Sequence, residues 1–346
     1  MKRAFSVVFA VVLAYSVSVA AQWPVVRDPK APRDAEGNVR MDAPTPRTAD
    51  GHPDFSGVWM RANSGPPAGR GGRGGRGGRR GGGPGAADAQ AAPDAGAQGA
   101  AAGARGAAAA PTTPEEGQGG AFAPVRGGVS LEPATDRFPF DPDGPPVATF
   151  FEAGGNMPDG LPYTEWASAL KKARLDLQAR DNPDAMCMPM GFLQFHQQPQ
   201  PRKIIQTEQL VLIEYEANYG IRHIYLDGRA LPPQGEPQPW WYGYSVGRWD
   251  GDTLVVETNN LRGAEDGPYD GWLDVNGSPY SQQAKFTERF RRPAFGHLQI
   301  DTTVEDPKGY TSAWTVRIDQ RLLPDQEMIE FVCNENQQFR ERIKID

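Results

Sequence analysis

From Lys203 onward apolar and polar residues alternate with a period of two, the pattern of strands buried on one face. The alternation predicts strands near 203–207, 210–217, 221–226, 240–249, 252–259, 283–291, 297–304, 313–321 and 327–333. Most connections are short and hold Gly, Pro, Asp or Asn, and only 227–239 and 260–282 are long. None contains a helix of crossover length, so the sheet is expected to be antiparallel. Upstream, Phe55–Arg61 reads as a first strand, giving about ten, a number at which a sheet curls and closes on itself. One stretch has the helical period instead: TEWASALKKARLDLQAR, 164–180, with Trp166, Leu170, Ala173 and Leu177 on one face and Lys171, Lys172 and Arg174 on the other. Thr164 is placed to cap its start, and Asn182-Pro183 to stop it. The expected fold is mainly β: an antiparallel up-and-down barrel of about 8–10 strands with one packed α-helix.

The run WWYGYSVGRWDGDTLVVETNN, 240–260, is the densest in aromatic residues. Asp250-Gly251 fits a two-residue hairpin turn of type I′, which pairs Trp249 with Asp252, Gly247 with Leu254, Ser245 with Val256 and Tyr244 with Glu257. The face holding Trp241, Gly243, Ser245, Gly247, Trp249, Leu254, Val256 and Thr258 is the more apolar and is expected inward. The Gly-x-Ser-x-Gly match at Gly243–Gly247 lacks the strand–turn–helix context of a nucleophile elbow, because Ser245 falls in mid-strand and a second strand follows.

The ends and the composition change the picture in three ways. Residues 1–21 have the basic start, short apolar stretch and small-residue close of a secretory signal, so an exported protein, periplasmic or secreted, is expected, with no integral membrane segment after cleavage. Residues 22–51 form an N-terminal extension and 52–61 the first strand of the barrel. Residues 62–136 are Gly, Ala, Pro and Arg with almost no large apolar side chain, and are expected to be disordered. Removing signal and insertion leaves a single domain, its helix and remaining strands in 137–346. The formal net charge of −7 argues against a nucleic-acid partner for the folded part; the Arg/Gly run inside 62–136 reads as a linker able to touch anionic envelope polymers. Two cysteines in an exported chain, Cys187 and Cys333, suggest one disulfide.

Candidate chemistry is sparse. In KFTERF, 285–290, Glu288 shares a strand face with Phe286 and Phe290. If it points inward it is either a general acid or half of an ion pair, whose partner must come from another strand, such as Arg222 or Arg317. In IRHIYL, 221–226, His223 shares a face with Ile221 and Tyr225, and with Tyr215 it could form a polar patch or act as a base. The four histidines show no ligand spacing, so neither a metal nor a cofactor is expected.

Gly57-Val58-Trp59 on a first strand, followed by a meander, resembles the G-x-W opening of lipocalin-like (calycin) barrels. The phrases DGHPDFSGVW, GYSVGRWDGDTLVVET, TERFRR and FVCNENQ are similar to those of a group of exported bacterial proteins of unassigned function. The resemblance implies a barrel and no reaction. The expected function is binding of a small, apolar or aromatic-stacking molecule, with Trp241, Trp249, Tyr215 and Tyr225 as wall and His223 and Glu288 as polar contacts. The alternatives are a cofactor-free barrel enzyme (hydratase, isomerase or hydrolase) using Glu288 as acid and His223 as base, and a structural envelope protein. A sugar ligand would favour exposed tryptophans such as Trp240 and Trp272. Oligomeric state has no signature in the chain.

Overall fold

Period-two alternation does produce strands here. The computed structural model describes residues 26–62, 141–236 and 238–333, so the predicted signal and nearly all of the predicted insertion lie outside the described residues. Nine strands close into a barrel in chain order: β1 (Gly57–Arg61), β2 (Arg202–Gln206), β3 (Leu210–Tyr215), β4 (Gly220–Tyr225), β5 (Tyr244–Asp250), β6 (Thr253–Asn259), β7 (Lys285–Ala294), β8 (His297–Glu305) and β9 (Trp314–Leu322). Strand β1 closes the ring, pairing with β2 on one side and β9 on the other. The tenth strand expected near 327–333 does not form; those residues run without ladder partners.

The odd count has a geometric consequence. Strands that alternate in direction around a closed ring must be even in number, so nine strands require one parallel junction. It lies between β4 and β5, where Ile224 pairs with Ser245 and Tyr225 with Val246. The long connection 226–243 carries the chain back before β5 begins, and the expectation of a wholly antiparallel up-and-down barrel is corrected at this seam. The β5–β6 hairpin also departs from the expected register by two residues. Asp250 pairs with Thr253 and Trp249 with Leu254, so the turn is Gly251-Asp252. Only Gly251 of these has positive φ, +59°, the type II′ arrangement with glycine at the first turn position. A two-residue shift preserves parity, so Ser245, Leu254, Val256 and Thr258 are inward and buried as expected.

Helix α1 (Glu165–Asp176) is capped by Thr164, whose hydroxyl accepts from the Ala167 amide. Its buried face is not the expected one. Ala167 and Arg174 are buried, whereas Ala173 and Leu177 are exposed. The inversion comes from Arg174, which donates to the carbonyls of Asp270, Gly271 and Gly277 and lies 4.1 Å over the Trp272 ring. Burial lowers its pKa to about 10, which leaves it a cation at neutral pH.

Between α1 and β2 the chain enters the barrel. Every residue of MGFLQFHQQ, 190–198, is buried. This segment contains a single helical turn, α2 (Gln194–Gln197). Phe192 stacks on Phe286 of β7 at 4.0 Å, and Phe195 packs on Tyr215 of β3 at 4.8 Å. The segment enters beside the loop of Trp272, where a Cβ on Gly191 would sit 1.9 Å from the Trp272 carbonyl oxygen. Gly191→Ala is therefore expected to cost about 1–3 kcal/mol by overpacking, read as a lower urea midpoint at unchanged slope.

Cys187 and Cys333 form a disulfide with Cα atoms 5.5 Å apart, 146 residues apart in sequence. It ties the chain leading into the barrel to the segment that follows β9. Replacing both cysteines by serine is expected to lower stability by about 2–4 kcal/mol, mainly by releasing the unfolded chain, and the oxidised protein should lose its advantage in urea when reductant is added.

Candidate functional site

Strand alternation places one polar cluster in the middle of the barrel. On β7, Phe286, Glu288 and Phe290 point inward, and on β4 so does Arg222. Glu288 and Arg222 are both essentially fully buried and form a bidentate ion pair, Arg222 Nη1 donating to Glu288 Oε1 at 3.1 Å and Nη2 to Oε2. The inserted segment supplies a third member: His196 Nε2 lies 3.0 Å from Glu288 Oε1. Two hydroxyls complete the shell. Ser245 Oγ accepts from Arg222 Nε and Nη2, Thr258 Oγ1 accepts from Nη2, and the two hydroxyls share a 2.9 Å bond. Phe192 and Phe195 face the guanidinium at 4.8 and 5.7 Å.

The electrostatics follow from that packing. Burial alone would raise the Glu288 pKa, but the Arg222 charge and the His196 and Arg222 hydrogen bonds outweigh it and hold the carboxyl at about 2. Burial lowers His196 to about 4; Glu288 pulls it upward, while the Arg222 and Arg202 cations push it further down. At neutral pH Glu288 is a carboxylate and His196 a neutral imidazole, so Nε2 carries the proton and donates to Glu288. Of the two partners considered for Glu288, Arg222 is the one it meets; Arg317 binds Asp301 and Asp141 instead.

His223 is elsewhere. It precedes an inward position on β4 by one residue, so it faces solvent with Ile221, on the outer surface of the wall that holds Arg222. The expected acid–base pair of Glu288 and His223 is thereby separated by the barrel wall, and His196 occupies the place assigned to His223. Tyr215 is inward beside His196, with ring centroids 5.9 Å apart. Tyr225 is on the outer surface, under Arg229 at 3.7 Å. Trp249 stacks on His52 at 4.3 Å and on Phe55 at 5.6 Å, closing one region of the barrel with the N-terminal segment. Trp241 lies before β5, under the Arg262 guanidinium at 4.5 Å. The four wall residues expected together therefore occupy different places. Ser245 is the second residue of β5, with its hydroxyl held by a cation and a strand rather than a helix following, the opposite of a nucleophile elbow.

Several buried polar atoms lack a partner. Beside the cluster, His196 Nδ1 and Thr302 Oγ1 are buried with no hydrogen-bond partner among the described residues, as are both amide atoms of Gln197, the residue after His196, and of Gln320 on β9. Thr302 is the cross-strand neighbour of Glu288. Arg202 is also buried; it donates to the carbonyls of His196, Gln198 and Gln200, and among the described residues it meets no carboxylate and its Nε has no partner. Its pKa is lowered by burial to about 10, leaving it charged. Among the described residues, no group of three or more His, Cys, Asp or Glu is arranged to hold a metal ion, and no helix is long and apolar enough to cross a membrane.

A closed nine-stranded barrel with few helices is compatible with a calycin-like barrel. Compared with protein families, with curated proteins and with solved structures, the chain finds no match.

Proposed function

We propose that the protein is an exported small-molecule-binding barrel and that its ligand sits inside, against the polar side of the inserted segment. The observation that carries this reading is the set of six unpartnered atoms on His196, Gln197, Thr302 and Gln320. Each would cost about 1–3 kcal/mol if left bare, on the order of 10 kcal/mol together, which is comparable to the whole stability of a domain. A ligand with both donors and acceptors would supply the missing partners. The surroundings of His196 are aromatic, with Phe195 packed on Tyr215, so the favoured ligand pairs a polar group with an apolar part. The disulfide fits an oxidising compartment, and the DFSGVW and TERFRR phrases support membership in the exported bacterial group they resemble.

Native mass spectrometry of the protein purified from its own host tests the proposal. The expected result is a stoichiometric small molecule, released on mild denaturation and lost in a folded Gln197→Leu/Gln320→Leu variant. A bare chain mass, together with a gain in stability in that variant, would mean that only water served these atoms, and would overturn the reading.

A further inference from the structure

The barrel's outer surface carries a second aromatic assembly, on the opposite side of the wall from the buried cluster. Trp240 is 41% exposed and borders a recess of about 410 Å³ lined by Gln238, Pro239, Trp241 and Arg262. Its backbone is fixed on two sides: the Trp240 amide donates to the Asn260 carbonyl and its carbonyl accepts from the Arg262 amide, each at 2.9 Å. Arg262 is locked in turn by a bidentate pair with Asp270, at 3.0 and 2.9 Å, and covers the Trp241 ring. From Trp240 the rings continue across the parallel seam. Trp240 to Tyr244 is 5.4 Å and Tyr244 to Tyr225 is 5.3 Å, with Arg229 over Tyr225 and donating to the Tyr244 hydroxyl.

We propose that this surface is a carbohydrate-binding platform for a neutral saccharide, a site independent of the barrel interior. Three features point to that class. The exposed Trp240 ring suits the apolar C–H face of a sugar ring, with Tyr244 tilted at 48° beside it to bound the same face. The groups that border the rings are planar hydrogen-bonding ones, the Gln238 amide and the Arg229 and Arg262 guanidinium groups, which match vicinal hydroxyls. Both cations are already neutralised, Arg262 by Asp270 and Arg229 by Asp227, so the platform has no uncompensated charge with which to select an anion. The anchoring of Trp240 and Arg262 keeps the recess in shape before a ligand arrives, which lowers the ordering cost of binding. Trp272, the other tryptophan considered for such a role, is fully buried under Arg174 and takes no part.

The test is affinity electrophoresis of the full chain through gels containing soluble cellulose derivative, xylan, starch or polygalacturonate, followed by calorimetry with the matching hexasaccharide. Retardation by at least one neutral polymer is expected, with Trp240→Ala weakening binding roughly tenfold, the worth of one lost stacking contact. Trp240→Phe should retain part of the affinity. Both changes are at an exposed side chain, and an unchanged thermal midpoint certifies the fold. No retardation by any neutral polymer, retardation by polygalacturonate alone, or equal binding by Trp240→Ala would each overturn the proposal. Because the readout is at the outer surface, it is insensitive to whether the interior holds a ligand.

Discussion

Replacing Arg222 by methionine is expected to destabilise the barrel by about 3–5 kcal/mol, because it leaves the Glu288 carboxylate buried without its cation. Glu288 is fully buried and His196, being neutral, offers it one hydrogen bond and no charge. Arg222 also organises Ser245 and Thr258, whose hydroxyls would turn to each other alone. The reciprocal change, Glu288→Leu, strands a buried guanidinium and should cost a similar amount. The double variant Arg222→Met/Glu288→Leu is expected to recover most of either loss, since well-packed apolar replacements of a buried ion pair are often neutral. A double-mutant cycle from urea denaturation reads this as a coupling of several kcal/mol, and single-variant losses below about 1 kcal/mol, the range of exposed pairs, would refute the buried geometry. A double variant that folds well yet no longer retains the interior ligand would show what the pair is kept for: orientation of a bound molecule more than stability.

How far that pair was legible in the sequence depends on which element is considered. Glu288 is flanked by Phe286 and Phe290, so an alternating pattern alone places it inward, and the need for a partner from another strand follows. Arg222 carries the opposite lesson. It lies between Ile221 and His223 in a strand whose apolar residues do not sort onto one face: Ile221 is outward, Ile224 inward. Counting apolar side chains favours the wrong face there, so the face of His223 reads as the inward one although Arg222 is the residue that points in. His196 was missed for another reason. PMGFLQFHQQP has neither a period of two nor one of 3.6, because a segment enclosed on all sides by a barrel has no solvent face to impose one. Its one legible signal is a short apolar run between prolines with no strand or helix assignment, which reads as loop. The parallel seam was hidden in the same way, since one parallel pairing follows from the parity of the strand count, and the count rested on a tenth strand, 327–333, whose alternation has no neighbouring edge to join once β1 pairs with β9.

Acidification is expected to weaken the protein by roughly 3 kcal/mol between pH 6.5 and pH 4 through His196 alone. The imidazole titrates near its ordinary value of 6.5 when unfolded and only near 4 when folded. Over that interval the unfolded chain therefore binds more protons, and stability falls as pH falls. The groups around the ring set the direction: its own burial first, opposed next by Glu288, with the smaller Arg222 and Arg202 charges adding to burial so that the lowering prevails. Glu288, held at about 2, extends the loss below pH 4.5, where the unfolded carboxylate takes up a proton that the folded one refuses. Asp184 and Asp274 work against the trend, since burial raises both and favours the protonated form in the folded state. The measurement is the urea midpoint from pH 7.5 to 4 for the parent chain and for His196→Asn, which keeps a polar group of similar reach without the titration. The variant should be less stable at pH 7 but flatter across the interval. A parent profile that is flat between pH 6.5 and 4, or a variant that keeps the full parental slope, would show that His196 is not the buried neutral imidazole described, and would remove one of the polar atoms on which interior binding rests.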